Sequence, residues 1–350
     1  MNNQIVVTSG YMGSGSSAMT DLLTEIEGYK NTTNSFEYIF MHCPGGLFDL
    51  EDKLLLGNNA LRSDEAVHVF LETMQDLYCK SNYWPSGYKY FLSSDFLKYC
   101  RELISNIACV SIDETFWYYQ ENPQNFKMHV MSILYGKKIM RALGVKKPLR
   151  YNEMTFAYPT AEEFYRAAKN FLGKIFAAMG SGNENIIIDQ LLLPHNIYRI
   201  DRYFGDELRV FVVERDPRDV FLLNKYYWSQ KNAQVPYPYD VNDFCKMYRA
   251  IRDNEILLQD ERILRLKFEE LVYDYDNALV RVYNHLGISE EKHSRKLSIF
   301  DPKISVNNTQ IFKRNEKYFE ESETIATLLP EYIFDFSGEK FDPVPDAELF

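Results

Sequence analysis

The sequence predicts an α/β fold in three layers, with a central parallel sheet between helices. The chain opens with a short aliphatic strand at residues 4–8, a run of glycine and serine, and an amphipathic helix, which is the order that begins a parallel α/β sheet. Further short aliphatic runs follow at residues 186–188, 210–213 and 263–266. Because these runs are unbroken rather than alternating, we expect strands that are buried on both faces.

Helical signals support the same fold class. The helix after the glycine run carries apolar residues at the spacing of one helix face: Met19, Leu22, Leu23 and Ile26. Thr160 and Glu163 predict a capping box at the start of a later helix. Another helix is expected from Asp276, with Gly287 as its C-cap.

The domain organisation follows from these elements. We expect a single α/β domain over residues 1–340, with a helix-rich insertion at about residues 60–180 that shapes an acceptor site. One possible strand lies inside that insertion, at residues 109–112. The last residues, 341–350, carry two prolines and are expected to form a loose tail.

Composition excludes several classes of protein. The 350 residues carry a formal net charge of -11, whereas nucleic-acid-binding proteins usually have a basic surplus, so we expect no nucleic-acid partner. The five cysteines form no CxxC pair, which argues against a disulfide framework or a zinc cluster and fits a reducing, cytoplasmic compartment. No apolar run approaches the roughly 20 residues that span a bilayer. The aromatic content of 15% indicates either an ordinary core or an aromatic-lined acceptor cleft.

The glycine-rich segment at residues 10–17 is the first candidate site. Glycines allow backbone N–H groups to converge, and a helix N-terminus adds about half a positive charge, so the segment predicts an anion site, most naturally for phosphate. The hydroxyl groups of Ser14, Ser16 and Ser17 add donors. A P-loop kinase would need a lysine where Ser16 stands. The alternative is a tight turn between strand and helix without a ligand.

Two arginines leave the end of the strand at residues 210–213. Arg215 and Arg218 lie where parallel-sheet proteins build their sites, and an arginine there can bind a phosphate through two N–H groups. The alternative is that both arginines pair with Asp216 and Asp219.

Taken in order, these segments resemble the bacterial type of sulfotransferase that uses 3′-phosphoadenosine 5′-phosphosulfate (PAPS). The resemblance rests on the glycine/serine loop after the first strand and on the Arg-Asp-Pro-Arg-Asp-Val run at residues 215–220. It also rests on the run Leu-Arg-Leu-Lys-Phe-Glu-Glu-Leu at residues 264–271, and on Asp189-Gln190 followed by Pro194-His195-Asn196. It covers residues 1–30 and 185–290, under half of the chain.

The resemblance implies a P-loop NTPase-like topology and a reaction. The loop residues Gly13, Ser14, Gly15, Ser16 and Ser17 would bind the 5′-phosphosulfate of PAPS, and Arg215 would bind its 3′-phosphate. The sulfuryl group would pass in line to a hydroxyl or amine, with 3′-phosphoadenosine 5′-phosphate (PAP) as product. A glycan or glycolipid acceptor is expected, and no metal is needed.

The chain departs from the family pattern at several positions. Gly13 stands where the family usually carries a lysine or arginine, and the loss of a transition-state donor typically costs about 10²–10³ in rate. The serine expected eight residues after Arg215 is Leu223, although the adjacent Asn224 could donate to the 3′-phosphate instead. Gln190 replaces a lysine. Lys313 and Arg314 resemble the C-terminal basic loop of the family, without its glycine.

A general base must accept the acceptor's proton. The resemblance implies Glu37 or His42, in the segment after the first helix, and Asp189 at a strand end is a further candidate. His195 is another option, and Asp113 and Glu114 rank below these. Two rival functions stay open, namely a non-catalytic nucleotide-binding member of the same fold and a P-loop kinase.

Overall fold

The computed structural model describes residues 3–31, 36–80, 86–115, 152–180, 184–232 and 235–339, together with residue 142. The expected tail at residues 341–350 and part of the expected insertion lie outside these ranges. The strands in the described ranges are β1 (Ile5–Gly10), β2 (Tyr29–Asn31), β3 (Val110–Thr115), β4 (Asn152–Phe156), β5 (Asn185–Asp189), β6 (Leu208–Glu214) and β7 (Ile263–Lys267).

The helices of the first half of the chain are α1 (Ser16–Thr24), α2 (Leu47–Leu55), α3 (Ala60–Cys79), α4 (Phe96–Ile107) and α5 (Ala161–Met179). Those of the second half are α6 (Ile200–Tyr203), α7 (Pro217–Tyr226), α8 (Val241–Asp253), α9 (Phe268–Tyr273), α10 (Tyr275–Leu286), α11 (Pro302–Ser305) and α12 (Glu316–Leu328). None of the helices in the described ranges has both the length and the apolar character that a bilayer span requires.

The chain forms two compact units. The first unit contains the residues up to Tyr38 and those from Gly180 onward, and the second unit contains Ile39–Met179. The second unit therefore contains most of the segment expected as a helix-rich insertion.

A five-stranded sheet forms the centre of the first unit. Its strand order is β2-β5-β1-β6-β7, and each neighbouring pair is parallel. Helices flank this sheet, so the predicted α/β class with a central parallel sheet is confirmed. The strand order changes direction at β1, since β5 pairs on one side of it and β6 on the other. In open α/β sheets, ligands bind outside the carboxyl ends of the strands at such a point.

Both faces of the central strands are buried. In β1, Val6 and Val7 point to opposite faces, and both side chains are fully buried. Helix α1 covers one face with the predicted apolar stripe, which packs against Phe211 and Val213 of β6. Each fully buried aliphatic side chain of this kind contributes about 1.5–3 kcal/mol.

The expectation of burial on both faces is wrong for β7. Its first three residues, Ile263, Leu264 and Arg265, are only half-buried, whereas Leu266 is buried. The reason is position, because β7 is an edge strand with a paired neighbour on one side only. The helix expected after it is confirmed as α10, which ends at Gly287 in a left-handed C-cap with φ of 67°.

The second unit is mainly helical within the part that the structure describes. Its strands β3 and β4 form an antiparallel pair, so the possible strand at residues 109–112 exists, although it begins one residue later. The predicted capping box is confirmed, since the Glu163 amide donates to Thr160 Oγ1 over 3.2 Å and the Thr160 amide donates to Glu163 Oε2 over 2.9 Å. An aromatic cluster of Phe40, Phe96 and Phe171 lies in its core.

Candidate functional site

The turn between β1 and α1 relies on left-handed backbone conformations. Gly13 has a φ of 77°, and Gly15, the N-cap of α1, has a φ of 87°. These values suit glycine, which has no Cβ to collide with the following carbonyl group. The amide of Ser14 donates to the carbonyl oxygen of Tyr11 over 2.8 Å, which closes the turn. The N-terminus of α1 consequently lies at the carboxyl end of β1, as an anion site requires.

Close packing around the same turn also requires glycine. A Cβ at Gly13 would lie 2.9 Å from ring carbons of Trp228, and a Cβ at Gly15 would lie 3.0 Å from Phe268. Separations below about 3 Å force neighbouring atoms to move. Position 13 therefore has no room for the lysine or arginine that sulfotransferases usually carry there unless Trp228 moves.

The serines of the turn differ in their surroundings. The Ser14 hydroxyl group is 3% exposed, and its oxygen has no hydrogen-bond partner among the described residues. The Ser16 hydroxyl oxygen accepts from Nε2 of Gln190 over 2.8 Å. Gln190 has a φ of 58°, an uncommon value for a residue with a side chain. Ser17 is exposed on the first turn of α1.

Arg215 joins the glycine turn to a distant segment. Its Nη1 atom donates to the carbonyl oxygen of Gly13 over 3.3 Å, and its Nη2 atom donates to the carbonyl oxygen of Asn308. The guanidinium group lies 4.7 Å from the centre of the Phe268 ring, in cation–π geometry. The side chain is 5% exposed, and its Nε atom is buried with no hydrogen-bond partner in the described part of the chain.

Two buried carboxyl groups, those of Asp219 and Glu269, lie close enough to Arg215 to affect its pKa. Asp219 accepts from the amides of Gln310 and Ile311 over 2.9 and 2.8 Å, and burial raises the pKa of its carboxyl group. Glu269 is fully buried, and this burial, reinforced by the charge of Asp216, raises its pKa to about 8. Burial in turn lowers the pKa of Arg215, against the pull of these carboxylates.

Arg218 pairs with the neighbouring carboxylate of Asp216, as the alternative interpretation of the sequence predicts. Its Nε and Nη2 atoms donate to both carboxylate oxygens of Asp216 over 3.0 and 2.7 Å. The guanidinium group also lies 4.4 Å from the centre of the Phe312 ring. These contacts engage Arg218 within the protein, whereas Arg215 reaches the glycine turn.

A cavity of about 180 Å³ lies beside the turn. Gly13, Gly15 and Arg215 border it on the side of the turn. Its remaining lining is largely aromatic and aliphatic, with two carboxylates: Ser17, Ala18, Asp21, Trp228, Phe268, Ile299, Phe300, Asp301, Ile304 and Ser305. The glycine turn and a largely apolar cavity therefore adjoin, which is an arrangement that would suit a ligand with one anionic and one ring-bearing part.

Asp189 lies at the carboxyl end of β5, paired in register with Thr8 of β1. The Thr8 hydroxyl group donates to Asp189 Oδ1 over 2.9 Å. Asp189 is 7% exposed, and burial, joined by the nearby charge of Glu37, raises its pKa to about 7. A carboxyl group with that pKa exchanges protons readily at neutral pH, as a general base must.

The other candidate residues occupy varied positions. Glu37 is half-buried in the first unit, and His42 is half-buried in the second unit. Asn224 is fully buried, and its side chain bonds the backbone of residues 235 and 237. Lys313 and Arg314 are exposed, and Arg314 donates to the carbonyl oxygen of residue 307.

His195 and two further candidates complete the set. His195 bonds the carbonyl oxygen of Ile251 over 3.1 Å, and its ring meets that of Tyr11 edge to face. Asp113 and Glu114 belong to β3, but their side chains lie outside the part that the structure describes.

Comparisons with known proteins give low similarities. No protein-family model matches the sequence, and no curated protein matches it. Among solved structures, the chain is similar to sulfotransferase STF9 from Mycobacterium avium, at 12% identity over 98% of this chain and 78% of that chain, with a TM-score of 0.33. It is similar to the sulfotransferase domain from the curacin biosynthetic pathway, at 14% identity over 94% and 98%, with a TM-score of 0.39.

A third similar structure is sulfotransferase STF1 from Mycobacterium tuberculosis H37Rv, at 10% identity over 89% of this chain and 77% of that chain, with a TM-score of 0.32. Similarities this low do not identify an activity.

Sequence reasoning found Gly13, Gly15, Ser17 and Arg215 but missed the other residues that line the cavity. Asp21 could have been found, because it lies four residues after Ser17 and therefore on the same face of α1. Trp228 and Phe300 gave no comparable signal, since they line the cavity from segments more than 200 residues further along the chain.

Proposed function

We propose that the chain is a sulfotransferase that moves a sulfuryl group from PAPS to a hydroxyl or amine acceptor and releases PAP. One observation carries the proposal, namely the 3.3 Å hydrogen bond from Arg215 to the carbonyl oxygen of Gly13. It brings a guanidinium group to the serine-rich turn from a separate strand end. A donor with phosphate groups at both ends of one ribose needs two such anion-binding elements within a nucleotide's reach.

The chemistry of the turn fits the donor. Glycine at positions 13 and 15 leaves the backbone accessible to phosphate oxygens, and the N-terminus of α1 supplies N–H donors and a favourable dipole. The Ser14 hydroxyl group and the Arg215 Nε atom are buried donors without a protein partner in the described ranges. Buried donors of this kind are destabilising unless a ligand accepts from them.

The reaction needs a base, for which we propose Asp189. The acceptor oxygen or nitrogen would attack sulfur as the bond from sulfur to the phosphate oxygen breaks, and the acceptor's proton would pass to the Asp189 carboxylate. A pKa of about 7 and the hydrogen bond from Thr8 support this role. Glu37 would act through its charge, which raises the pKa of Asp189, and His42 stays an alternative base.

We further propose a glycan or glycolipid acceptor and a cytoplasmic, bacterial setting. The aromatic content supports a sugar, because the chain has 26 tyrosines and 24 phenylalanines, and aromatic faces pack against sugar rings.

A second candidate is a protein of the same fold that binds the nucleotide without transfer. The packing of Gly13 against Trp228 favours it, since a lysine or arginine at position 13 would collide with Trp228 unless that ring moved. The arginines on the other side of the turn are engaged: Arg252 and Arg265 both bond Glu214, and Arg265 also bonds Glu255. Without a cation on the leaving phosphate, transfer would be slower by about 10²–10³.

Two measurements test the proposal in sequence. Isothermal titration with PAP should give binding in the micromolar range, and no binding at millimolar concentration would contradict both candidates. Labelled sulfate transfer from PAPS to a panel of glycans, lipids and phenols then separates them. Transfer to any acceptor supports the enzyme, whereas nucleotide binding without transfer across the panel supports the second candidate.

A further inference from the structure

Asp21 presents a carboxylate to the cavity beside the glycine turn. It lies on α1, four residues after Ser17, and both side chains line the cavity. Asp21 is half-buried, and within the ranges that the structure describes its carboxylate makes no hydrogen bond or ion pair. A carboxylate with no partner in a protein cavity needs a donor from elsewhere.

The position of this carboxylate is unfavourable for a purely anionic ligand. Four residues of α-helix span about 6 Å, so Asp21 lies one turn from the N-terminus at which an anion would bind. Two negative charges at that spacing repel each other. Burial, with a smaller contribution from the Glu25 carboxylate, raises the pKa of Asp21, which shows that its charge is poorly solvated. A ligand that fills the cavity and displaces solvent from Asp21 therefore binds better if it brings an N–H or O–H group to this carboxylate.

The walls of the cavity indicate which kind of ligand would carry the N–H or O–H donor. Phe268, Phe300 and Trp228 supply aromatic surface, and Ile304 supplies aliphatic surface. Such walls suit the flat ring of a nucleobase. A second carboxylate, Asp301, lines the same cavity with one oxygen already accepting from the Lys303 amide over 2.8 Å.

We propose that Asp21 accepts a hydrogen bond from the amino group of the nucleobase, so that the cavity selects an aminopurine over a purine with a keto group at the same position. This proposal rests on the proposed function, because the anion-binding turn and Arg215 would hold the phosphates of the same nucleotide. The selectivity would come from matching a hydrogen-bond donor on the base to the carboxylate acceptor of Asp21. A keto oxygen at that position would face the carboxylate as a second acceptor, and both would be left without a donor.

The test compares two nucleotides that differ at C6 and N1 of the purine ring. Adenosine 3′,5′-bisphosphate carries a 6-amino group and an unprotonated N1, whereas inosine 3′,5′-bisphosphate carries a 6-keto group and an N1–H group, and their phosphates are identical. Isothermal titration of the full chain should give at least about tenfold tighter binding of the adenosine compound. Asp21→Leu should reduce this ratio to about 1, even if removal of a negative charge tightens the binding of both compounds. Asp21→Asn should keep a preference, since its amide oxygen still accepts.

Matched controls make the ratio interpretable. Asp206 is an exposed aspartate of the same unit, so Asp206→Leu should leave the ratio unchanged. Thermal unfolding of each variant shows whether it is folded. Asp21→Ala, which also removes the acceptor and should also give a ratio of about 1, replaces Asp21→Leu if that variant does not fold. The 2′-deoxy form of the adenosine compound tests the ribose, and it should bind within a few-fold of the parent compound.

Separate outcomes would overturn the inference and the function. Equal binding of the adenosine and inosine compounds to the unmodified chain would overturn the inference that Asp21 recognises the nucleobase, while leaving the proposed function intact. A ratio that survives Asp21→Leu, or a large loss with the 2′-deoxy compound that disappears in this variant, would do the same. No binding of either compound would overturn both.

Discussion

The Nη1 atom of Arg215 and the carbonyl oxygen of Gly13 are hydrogen-bonded across 202 positions of sequence. The bond links the end of β6 to the turn after β1, which are neighbouring parallel strands of the sheet. Because Nη2 of the same guanidinium group bonds Asn308, a single side chain holds three separate segments together at the cavity. Arg215 therefore has a structural role that is present before any ligand binds.

We predict that Arg215→Lys separates the charge of this residue from its geometry. A lysine keeps the positive charge near Asp219 and Glu269 but cannot donate in two directions from one planar group. We expect PAP binding to weaken by about tenfold or more in isothermal titration, with a loss of stability of about 1–3 kcal/mol in chemical denaturation. Arg166→Lys is the control, since Arg166 is exposed in the second unit and should change neither quantity. Unchanged PAP affinity in Arg215→Lys would remove Arg215 from the site.

Alanine substitutions at two glycines separate the energetic cost of backbone strain from that of side-chain crowding. Gly13 and Gly28 have similar left-handed φ values of 77° and 83°, but only Gly13 has atoms close to the position of an added Cβ. Gly28→Ala should destabilise the fold by about 1 kcal/mol, through the backbone alone. Gly13→Ala should add the collision with Trp228, for a total of about 2–4 kcal/mol. Both losses are measured by urea denaturation. Equal losses in the two variants would mean that Trp228 does not restrict position 13.

The glycine turn could be predicted from sequence because its information is local. A strand, a left-handed glycine turn and a helix follow one another within residues 5–24, and each leaves its own signal. The strand β2 left no such signal, since Tyr29, Lys30 and Asn31 form no aliphatic run. It is held at the sheet edge by pairing with β5, whose residues lie more than 150 positions away.

The cavity could not be predicted from the sequence because, like the pairing of β2, it depends on contacts between residues far apart in the chain. Its outer wall is the segment at residues 299–305, which meets α1 through contacts between residues about 280 positions apart. Sequence periodicity shows which residues share a face of α1, but it does not show what covers that face. The resemblance to sulfotransferases likewise suggested a phosphate role for Arg215 without showing that it also bonds Gly13 and Asn308.

Asp189 should make stability depend on pH. Its pKa is raised from 3.8 to about 7 in the folded chain, so the folded state holds this proton more tightly than the unfolded state. Below about pH 4 both states are protonated and the residue has no effect. As the pH rises from 4 to 7 the unfolded state ionises first, and stability falls by about 4 kcal/mol in total. Asp189→Asn keeps an acceptor for Thr8 and should abolish this fall.

The measurement is the free energy of unfolding of both proteins between pH 4 and pH 8. The difference between the two free energies of unfolding isolates the contribution of Asp189 from that of the other titrating groups. Glu37→Gln provides the control, because removal of that nearby charge should move the midpoint of the fall to lower pH. If the two pH profiles run parallel across this range, Asp189 is not buried with a raised pKa. In an active enzyme, kcat/KM should rise with pH around the folded-state pKa of about 7 and be lost in Asp189→Asn.

The wall of the cavity depends on Glu25, which is fully buried after the end of α1. Its carboxylate accepts from the amides of Ile299 and Phe300 over 2.6 and 2.9 Å, and from the amide of Leu297 over 3.1 Å. It also lies 2.8 Å from His293 Nε2. One helix thus provides the N-terminus at which we propose that an anion binds and, beyond its other end, the carboxylate that bonds the opposite wall.

We predict that Glu25→Gln loosens this wall without disturbing the turn. The glutamine NH₂ group cannot accept, so at least one amide of the segment loses its partner, and stability should fall by about 2–4 kcal/mol. Amide hydrogen exchange should become faster at Leu297, because the glutamine oxygen can keep the amides of Ile299 and Phe300 only if its NH₂ group faces the Leu297 amide. Affinity for PAP should fall while affinity for inorganic pyrophosphate stays unchanged, because only the nucleoside uses the wall. Glu27→Gln, an exposed neighbour, is the matched control. Equal weakening of both ligands would show instead that Glu25 supports the whole site.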